Sequence, residues 1–184
     1  ENFPPRILTG PLTEVNVTVN ETATIIVTAE DPNNDSLTFT LSGTLPAGYT
    51  TTGDASSITL TWRVTSEEIE VDFIVSDGTA TTVLSPVIYV CACLNDGSCF
   101  HEEDSEENNA NNTERFNILS CACKDGYTGS FCDSDLDACE ENSQPCYPGV
   151  TCTDLPPPAN ETGFQCDPCP SGYSGDGIDC TGIS

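Results

Sequence analysis

The sequence predicts an all-β chain in two parts, a cysteine-free β-sandwich followed by small disulfide-rich modules. Three observations carry this reading. Apolar and polar residues alternate through most of residues 1–90, those residues contain no cysteine, and all twelve cysteines fall within residues 91–180. Alternation with a period of two gives a strand one buried and one solvated face. The sharp change in composition marks a domain boundary. The first part has apolar residues enough for a core, whereas the second is poor in Val, Ile and Leu and must draw its stability from cross-links.

Taken in order, EVNVTVNE sets Val15, Val17 and Val19 on one face and Asn16, Thr18 and Asn20 on the other. TATIIVTAE continues with Ala23, Ile25, Val27 and Ala29, and SLTFTLSG with Leu37, Phe39 and Leu41. SITLTW offers Ile58, Leu60 and Trp62, and EVDFIVSDG offers Val71, Phe73 and Val75. A last strand runs through TTVLSPVIYV to Val90, where Pro86 marks an edge or a bulge because it has no N–H for a ladder. DPNND, LPAG, TTGD and SDG are the turn signals between strands. About seven short strands at this spacing make a sandwich.

Several stretches of residues 1–90 carry a resemblance: NFPPRI, VTAEDPNNDSLTFTLSG, LPAGY and FIVSDGTA. Together they resemble a cadherin-like or immunoglobulin-like repeat of extracellular matrix proteins. The cadherin resemblance implies Ca²⁺ held by acidic loops, and Asp31, Asp35 and Asp77 lie in matching turns. The Asp-X-Asn-Asp-Asn linker of cadherins is absent, however, and Asn34 is itself a glycosylation acceptor. These turns therefore read as ordinary Asx-turns.

Two Cys-Ala-Cys pairs, at Cys91–Cys93 and Cys121–Cys123, raise the question of metal, redox or structural sulfur. Zinc sites space their ligands by two to four residues and often include histidine, yet His101 is the only histidine. Cys166 and Cys169 have the Cys-X-X-Cys spacing but lie in a Pro-rich segment with no helix to follow, unlike a redox motif. The disulfide reading accounts for more. CLNDGSC followed by CACKDGYTGSFC makes residues 91–132 resemble an EGF-like module, with Asp96 where that family has a glycine. The single residue between Cys91 and Cys93 sets this module directly against the last strand of the sandwich. DLDACEENSQPCYPGVTCTD and GFQCDPCPSGYSGDGIDC make residues 133–184 resemble a second EGF-like module of the thrombospondin kind.

Six cysteines admit many pairings from sequence alone. The EGF-like resemblance implies Cys91–Cys99, Cys93–Cys121 and Cys123–Cys132 in the first module. In the second it implies Cys139–Cys152, Cys146–Cys166 and Cys169–Cys180. Bonds worth about 2–4 kcal/mol each can stand in for the missing core of so small a module. Calcium-binding EGF-like modules carry acidic residues that Asp135, Asp137 and Asp154 match here. Ala138 stands where the family has Glu, and Ca²⁺ wants six to eight oxygens. The segment therefore reads first as a solvated acidic linker, with Ca²⁺ as the alternative and no cofactor required.

Two insertions remain. FHEEDSEENNANNTERFNILS, between Cys99 and Cys121, is expected to be a surface loop whose acidic, Asn-rich centre is solvated and mobile, and LPPPANETG an extended, stiff one. Five Asn-X-Ser/Thr acceptors, Asn16, Asn20, Asn34, Asn111 and Asn160, join the clustered cysteines in indicating an extracellular chain, secreted or at the cell surface. Asn16 and Asn20 are expected on one outward strand face, roughly 13 Å apart.

Four basic residues against thirty acidic ones give a formal charge of −26, which argues against nucleic acid and anionic lipid as partners. No apolar stretch is long enough to insert in a membrane. The absence of an initiator Met and of a signal-peptide pattern suggests a processed chain or a piece of a longer one. No catalytic constellation is present, and His101 sits in the acidic loop with nothing expected to orient it, so the chain is not expected to be an enzyme.

Mucin-like and extracellular-matrix proteins combine such modules. The expectation is a secreted, glycosylated structural unit of an extracellular filament or matrix, forming an elongated rod. Its partners would be copies of itself, meeting head to tail, or neighbouring extracellular domains. The alternative is the ectodomain of an adhesion or receptor protein presenting a ligand-binding surface.

Overall fold

The computed structural model describes residues 1–10, 14–101, 114–157 and 163–183. The chain is all-β apart from one four-residue helix among the described residues. It divides into two compact units, Glu1–Ala92 with His101–Leu119, and Cys93–Phe100 with Ser120–Ser184.

The strands of the first unit begin with β1 (Arg6–Ile7), β2 (Glu14–Thr18), β3 (Thr22–Glu30) and β4 (Thr38–Thr44). They continue with β5 (Thr50–Gly53), β6 (Ser57–Arg63), β7 (Glu70–Ser76), β8 (Thr81–Leu84) and β9 (Val87–Cys91). One layer is a four-stranded sheet in the order β1-β3-β6-β5, antiparallel throughout. Opposite it, β7 lies between β4 and β8, and β2 runs parallel to β9.

Alternation decides which side chains meet between the layers. Ile25, Val27, Leu60 and Trp62 from one layer join Val71, Phe73, Ile88 and Val90 from the other in a single core. Phe73 and Leu60 are wholly buried, and side chains of this size each contribute about 1.5–3 kcal/mol.

The chain departs from the sequence reading in four places. TTGD is not purely a turn: Thr50–Gly53 form β5 on β6, and only Asp54 begins the turn, where its carboxylate accepts from Ser56 N at 2.8 Å. β2 stops at Thr18, so Asn20 lies in the following turn, with φ +70° and its N–H bonded to Val64 O, rather than on the strand. Asn tolerates this left-handed conformation better than most residues.

The third departure is the last strand, which Pro86 divides in two. β8 stays with β7, whereas β9, beginning one residue after the buried Pro86, pairs with β2. A residue with no N–H cannot continue the ladder, and the strand changes partners there.

The fourth is the Cys99–Cys121 insertion. Its centre, 102–113, lies outside the described residues, but its end is not a loop. Phe116–Ile118 form β11, parallel to β9 on the edge away from β2. Arg115 O accepts from Ile88 N at 2.7 Å and Leu119 N donates to Val90 O at 2.9 Å, while Phe116 packs against the core. The Arg115 guanidinium donates to Val71 O on β7 at 2.9 Å and pairs with Asp72 at 2.9 Å. β11 thus occupies the β9 edge and is pinned to β7. His101, at the start of the same insertion, is oriented after all, with its ring edge-on to Tyr89 at a centroid distance of 4.5 Å.

The second unit holds β10 (Ser98–Phe100), β12 (Ser120–Ala122), β13 (Tyr127–Thr128) and β14 (Ser134–Asp135). The helix α1 (Ala138–Glu141) follows, then β15 (Cys152–Asp154), β16 (Phe164–Cys166), β17 (Tyr173–Gly175) and β18 (Cys180–Gly182). The strands form four two-stranded antiparallel ladders, β10-β12, β13-β14, β15-β16 and β17-β18. Only Cys132 and Ala138 are buried among its described hydrophobic residues.

Trp62 is the only tryptophan and is buried in the sandwich, so its fluorescence reports on that unit alone. Arg115→Ala removes the pin on β11 and should lower sandwich stability by about 1–3 kcal/mol, the range for hydrogen bonds to a charged group in a part-buried setting. The expected readout is a lower urea midpoint for Trp62 emission, with the slope unchanged.

Candidate functional site

Most of the residues the sequence singles out in the second unit are absorbed into holding it together. The structure joins Cys93 to Cys121, Cys123 to Cys132, Cys139 to Cys152, Cys146 to Cys166 and Cys169 to Cys180. The remaining two, Cys91 and Cys99, are disulfide-bonded as well, and no cysteine is free. Cys93 Sγ and Cys99 Sγ approach to 2.9 Å, yet each sulfur is already oxidised. Zinc and redox chemistry need thiolates, and these pairs supply none.

Turns bring the cysteines into position. Asn95 and Asp96 both have positive φ, +49° and +57°, between Leu94 O and Gly97 N, which are bonded at 2.9 Å. That is the I′ geometry of a tight hairpin, so Asp96 takes up the conformation that glycine would adopt at no steric cost. Gly126 and Gly129 supply positive φ in the closing turn around Tyr127. Pro157, from the proline-rich insertion, leaves so little space over Gly126 that an added Cβ would approach it to 3.1 Å.

The three carboxylates matched to a Ca²⁺ site do different work. Asp137 is the N-cap of α1, accepting from Cys139 N at 2.9 Å and Glu140 N at 3.1 Å. Asp154 accepts from Ala138 N at 2.9 Å, so the two carboxylates satisfy three first-turn donors. Asp135 is exposed on β14 opposite Tyr127. Among the described residues, Asp135, Asp137 and Asp154 do not gather their oxygens within 4.8 Å of one another.

The acidic turns of the sandwich are held internally as well. Asp31 Oδ1 accepts from Asn33 N at 2.7 Å and Asp35 N at 3.0 Å, closing an Asx-turn, while its Oδ2 is buried without a partner among the described residues. Asp77 accepts from Thr79 N and Ala80 N, both at 2.6 Å, and from Asn2 Nδ2 at 2.9 Å.

Three of the glycosylation acceptors, Asn16 on β2, Asn20 and Asn34, are exposed. Asn34 has φ +61° in the β3–β4 turn. Asn111 and Asn160 lie outside the described residues. The feature that sequence reasoning missed is β11, and its only trace was the RFNI stretch closing an otherwise acidic insertion.

A sandwich joined to sulfur-stapled ladders of this kind defines an extracellular modular protein with EGF-like modules. No family model matches the chain. It is similar to human Mucin-4, 30% identical over 102 residues, which is 55% of this chain and 2% of that protein. It is also similar to mouse Thrombospondin-4, 50% identical over 42 residues, or 23% of this chain and 4% of that protein. Rat Cartilage oligomeric matrix protein is 46% identical over 39 residues, covering 21% of this chain and 4% of that protein. The chain thus spans only 2–4% of the length of these relatives.

Among solved structures, titin domain M7 aligns with TM-score 0.39 and 19% identity over 49% of this chain and 96% of that one. An endo-fucoidan hydrolase from glycoside hydrolase family 107 aligns with TM-score 0.38 and 21% identity over 51% of this chain and 15% of that one. Alignments this shallow carry no argument about function. The relatives in sequence are extracellular or cell-surface proteins, and this chain is an extracellular matrix or surface module.

Alkylation of the unreduced protein should label no cysteine. Reduction should unfold the second unit while Trp62 emission stays native, because that unit has almost no core of its own; the two signals are read by mass spectrometry with limited proteolysis and by fluorescence.

Acid should act on the sandwich instead. Backbone N–H donors, Ser56 at Asp54 and Ala80 at Asp77, hold these carboxyls below the ordinary value of 3.8. A depressed folded value contributes stability above the unfolded value and loses it as pH falls through the folded one. The Trp62 urea midpoint should therefore be insensitive to these groups above about pH 5 and should fall progressively below 3.8.

Proposed function

We propose that this chain is a glycosylated structural unit of an extracellular filament or matrix, and that it assembles through contacts with copies of itself or with neighbouring extracellular domains. The observation that carries this is the β11 insertion. The chain leaves the sandwich at Ala92, returns for residues 101–119 and leaves again, so three covalent passages join the two units. The returning segment is flanked by Cys99 and Cys121, both disulfide-bonded. A hydrogen-bonded strand inside the insertion and disulfide-bonded cysteines at both its ends support a structural role. The similarity of the second module to Thrombospondin-4 and Cartilage oligomeric matrix protein supports the same reading.

A second reading is the ectodomain of an adhesion or receptor protein. It draws on the Mucin-4 similarity, which takes in 55% of the chain. Negative-stain microscopy of the secreted, fully oxidised chain, imaged across a concentration series, separates the two. Ordered oligomers or fibres that grow with concentration are expected. Isolated particles throughout, together with saturable binding to cell surfaces, would favour the ectodomain.

A further inference from the structure

We propose that the outer face of the β1-β3-β6-β5 sheet is the surface through which this chain meets a second copy of itself. This rests on the assembly reading above and names the surface it would use.

The face follows from register. Ile25, Val27, Ile58 and Leu60 point into the core, so their neighbours along β3 and β6 point out. Thr24 lies opposite Thr61, and Thr61 opposite Thr50. The next row is Ile26, Thr59 and Thr52, and the one after it pairs Thr28 with Ser57, while Leu8 N donates to Thr28 O at 2.8 Å. Thr24 and Thr61 hydroxyls lie 3.4 Å apart across the strands. Ile26 and Leu8 are 51% and 54% exposed, large apolar side chains standing among threonine methyls and hydroxyls.

These three rows carry no charge, on a chain with thirty acidic and four basic residues. Charge appears only at the ends. Arg63 stands beyond one, opposite Thr22. At the other, Arg6 pairs with Glu30 at 3.5 Å and Asp54 accepts from Ser57 Oγ at 3.0 Å. None of the described sequon asparagines belongs to these four strands.

Charge selects the occupant. Two copies of a chain with formal charge −26 repel wherever acidic surfaces face each other, and this face allows close approach without burying opposed carboxylates. The ends are complementary as well. A two-fold axis across the strands, through the row of Ile26 and Thr59, stacks the sheets with strands reversed and sets Arg63 of one copy against the Glu30 and Asp54 end of the other. Strand spacing of about 4.8 Å and rows about 6.7 Å apart give a patch of roughly 300 Å². Stable pairs bury about 800 Å² per partner, so this contact is weak; being two-fold it closes as a pair, and a longer assembly needs a second, different contact.

Sedimentation equilibrium of the secreted, oxidised chain tests this, with Trp62 emission checking that each variant is folded. Wild type should self-associate weakly and more tightly as NaCl rises from about 0.05 to 0.5 M, because salt screens the repulsion between acidic surfaces. Thr59→Glu sets like charges face to face at the axis and should weaken association about tenfold or more. Thr40→Glu, which makes the same change on exposed β4 of the other layer, should leave it within about twofold. Association of Thr59→Glu equal to wild type overturns the face while leaving assembly standing. Equal losses in both variants overturn it too, since overall charge would then be the cause. A wild type that stays monomeric at every concentration and salt removes both this contact and the self-assembly reading.

Discussion

A shortage of buried apolar surface after Ala92 governs how this molecule is built. With only Cys132 and Ala138 buried among its described hydrophobic residues, the second unit has no hydrophobic core to select one conformation. Disulfides act on the other side of the balance. They shrink the unfolded ensemble, so a few short ladders and turns are enough to define the folded state. The same shortage explains why the carboxylates there serve as caps. Where little packing holds a four-residue helix, Asp137 and Asp154 stabilise it by satisfying first-turn N–H groups.

The sandwich solves the opposite problem. It has a core, but Pro86 interrupts one of its strands, and a ladder edge on β9 would be left open. The chain covers that edge with its own residues, Phe116–Ile118, drawn from an insertion in the following module. Covering an edge in this way removes a template for unwanted pairing. A boundary drawn at residue 90 would therefore leave the first unit without one of its strands.

Surface chemistry divides along similar lines. The chain carries thirty acidic residues against four basic ones, while the threonine rows of β3, β5 and β6 are neutral. Threonine suits an exposed strand because its β-branch fits the pleat and its hydroxyl meets water. The exposed Ile26 in their midst has no such explanation from solvation alone.

Particular residues show where reading the sequence succeeds and where it stops. Alternation marked β2, β3, β4, β6 and β7, because inward and outward positions differ chemically along each strand. The crowding of cysteine after residue 90 marked the disulfide-rich half, because cross-links replace burial there. β5 was hidden because TTTG has no alternation to read, and Asn20 was misplaced because a turn and a strand end share the same polar residues. The roles of Asp137 and Asp154 as caps depend on which N–H groups the fold leaves unpaired, which no spacing reveals. β11 is the clearest case. Its pairing with β9 joins residues far apart in sequence, and what calls for it is the edge that Pro86 opens on a different strand. Local pattern and composition were thus sufficient for most strands, for the extent of the cysteine framework and for the extracellular character. Which edge stood open, and which segment closed it, emerged only in the folded chain, because hydrogen-bond satisfaction at a sheet edge is a property of the assembled fold.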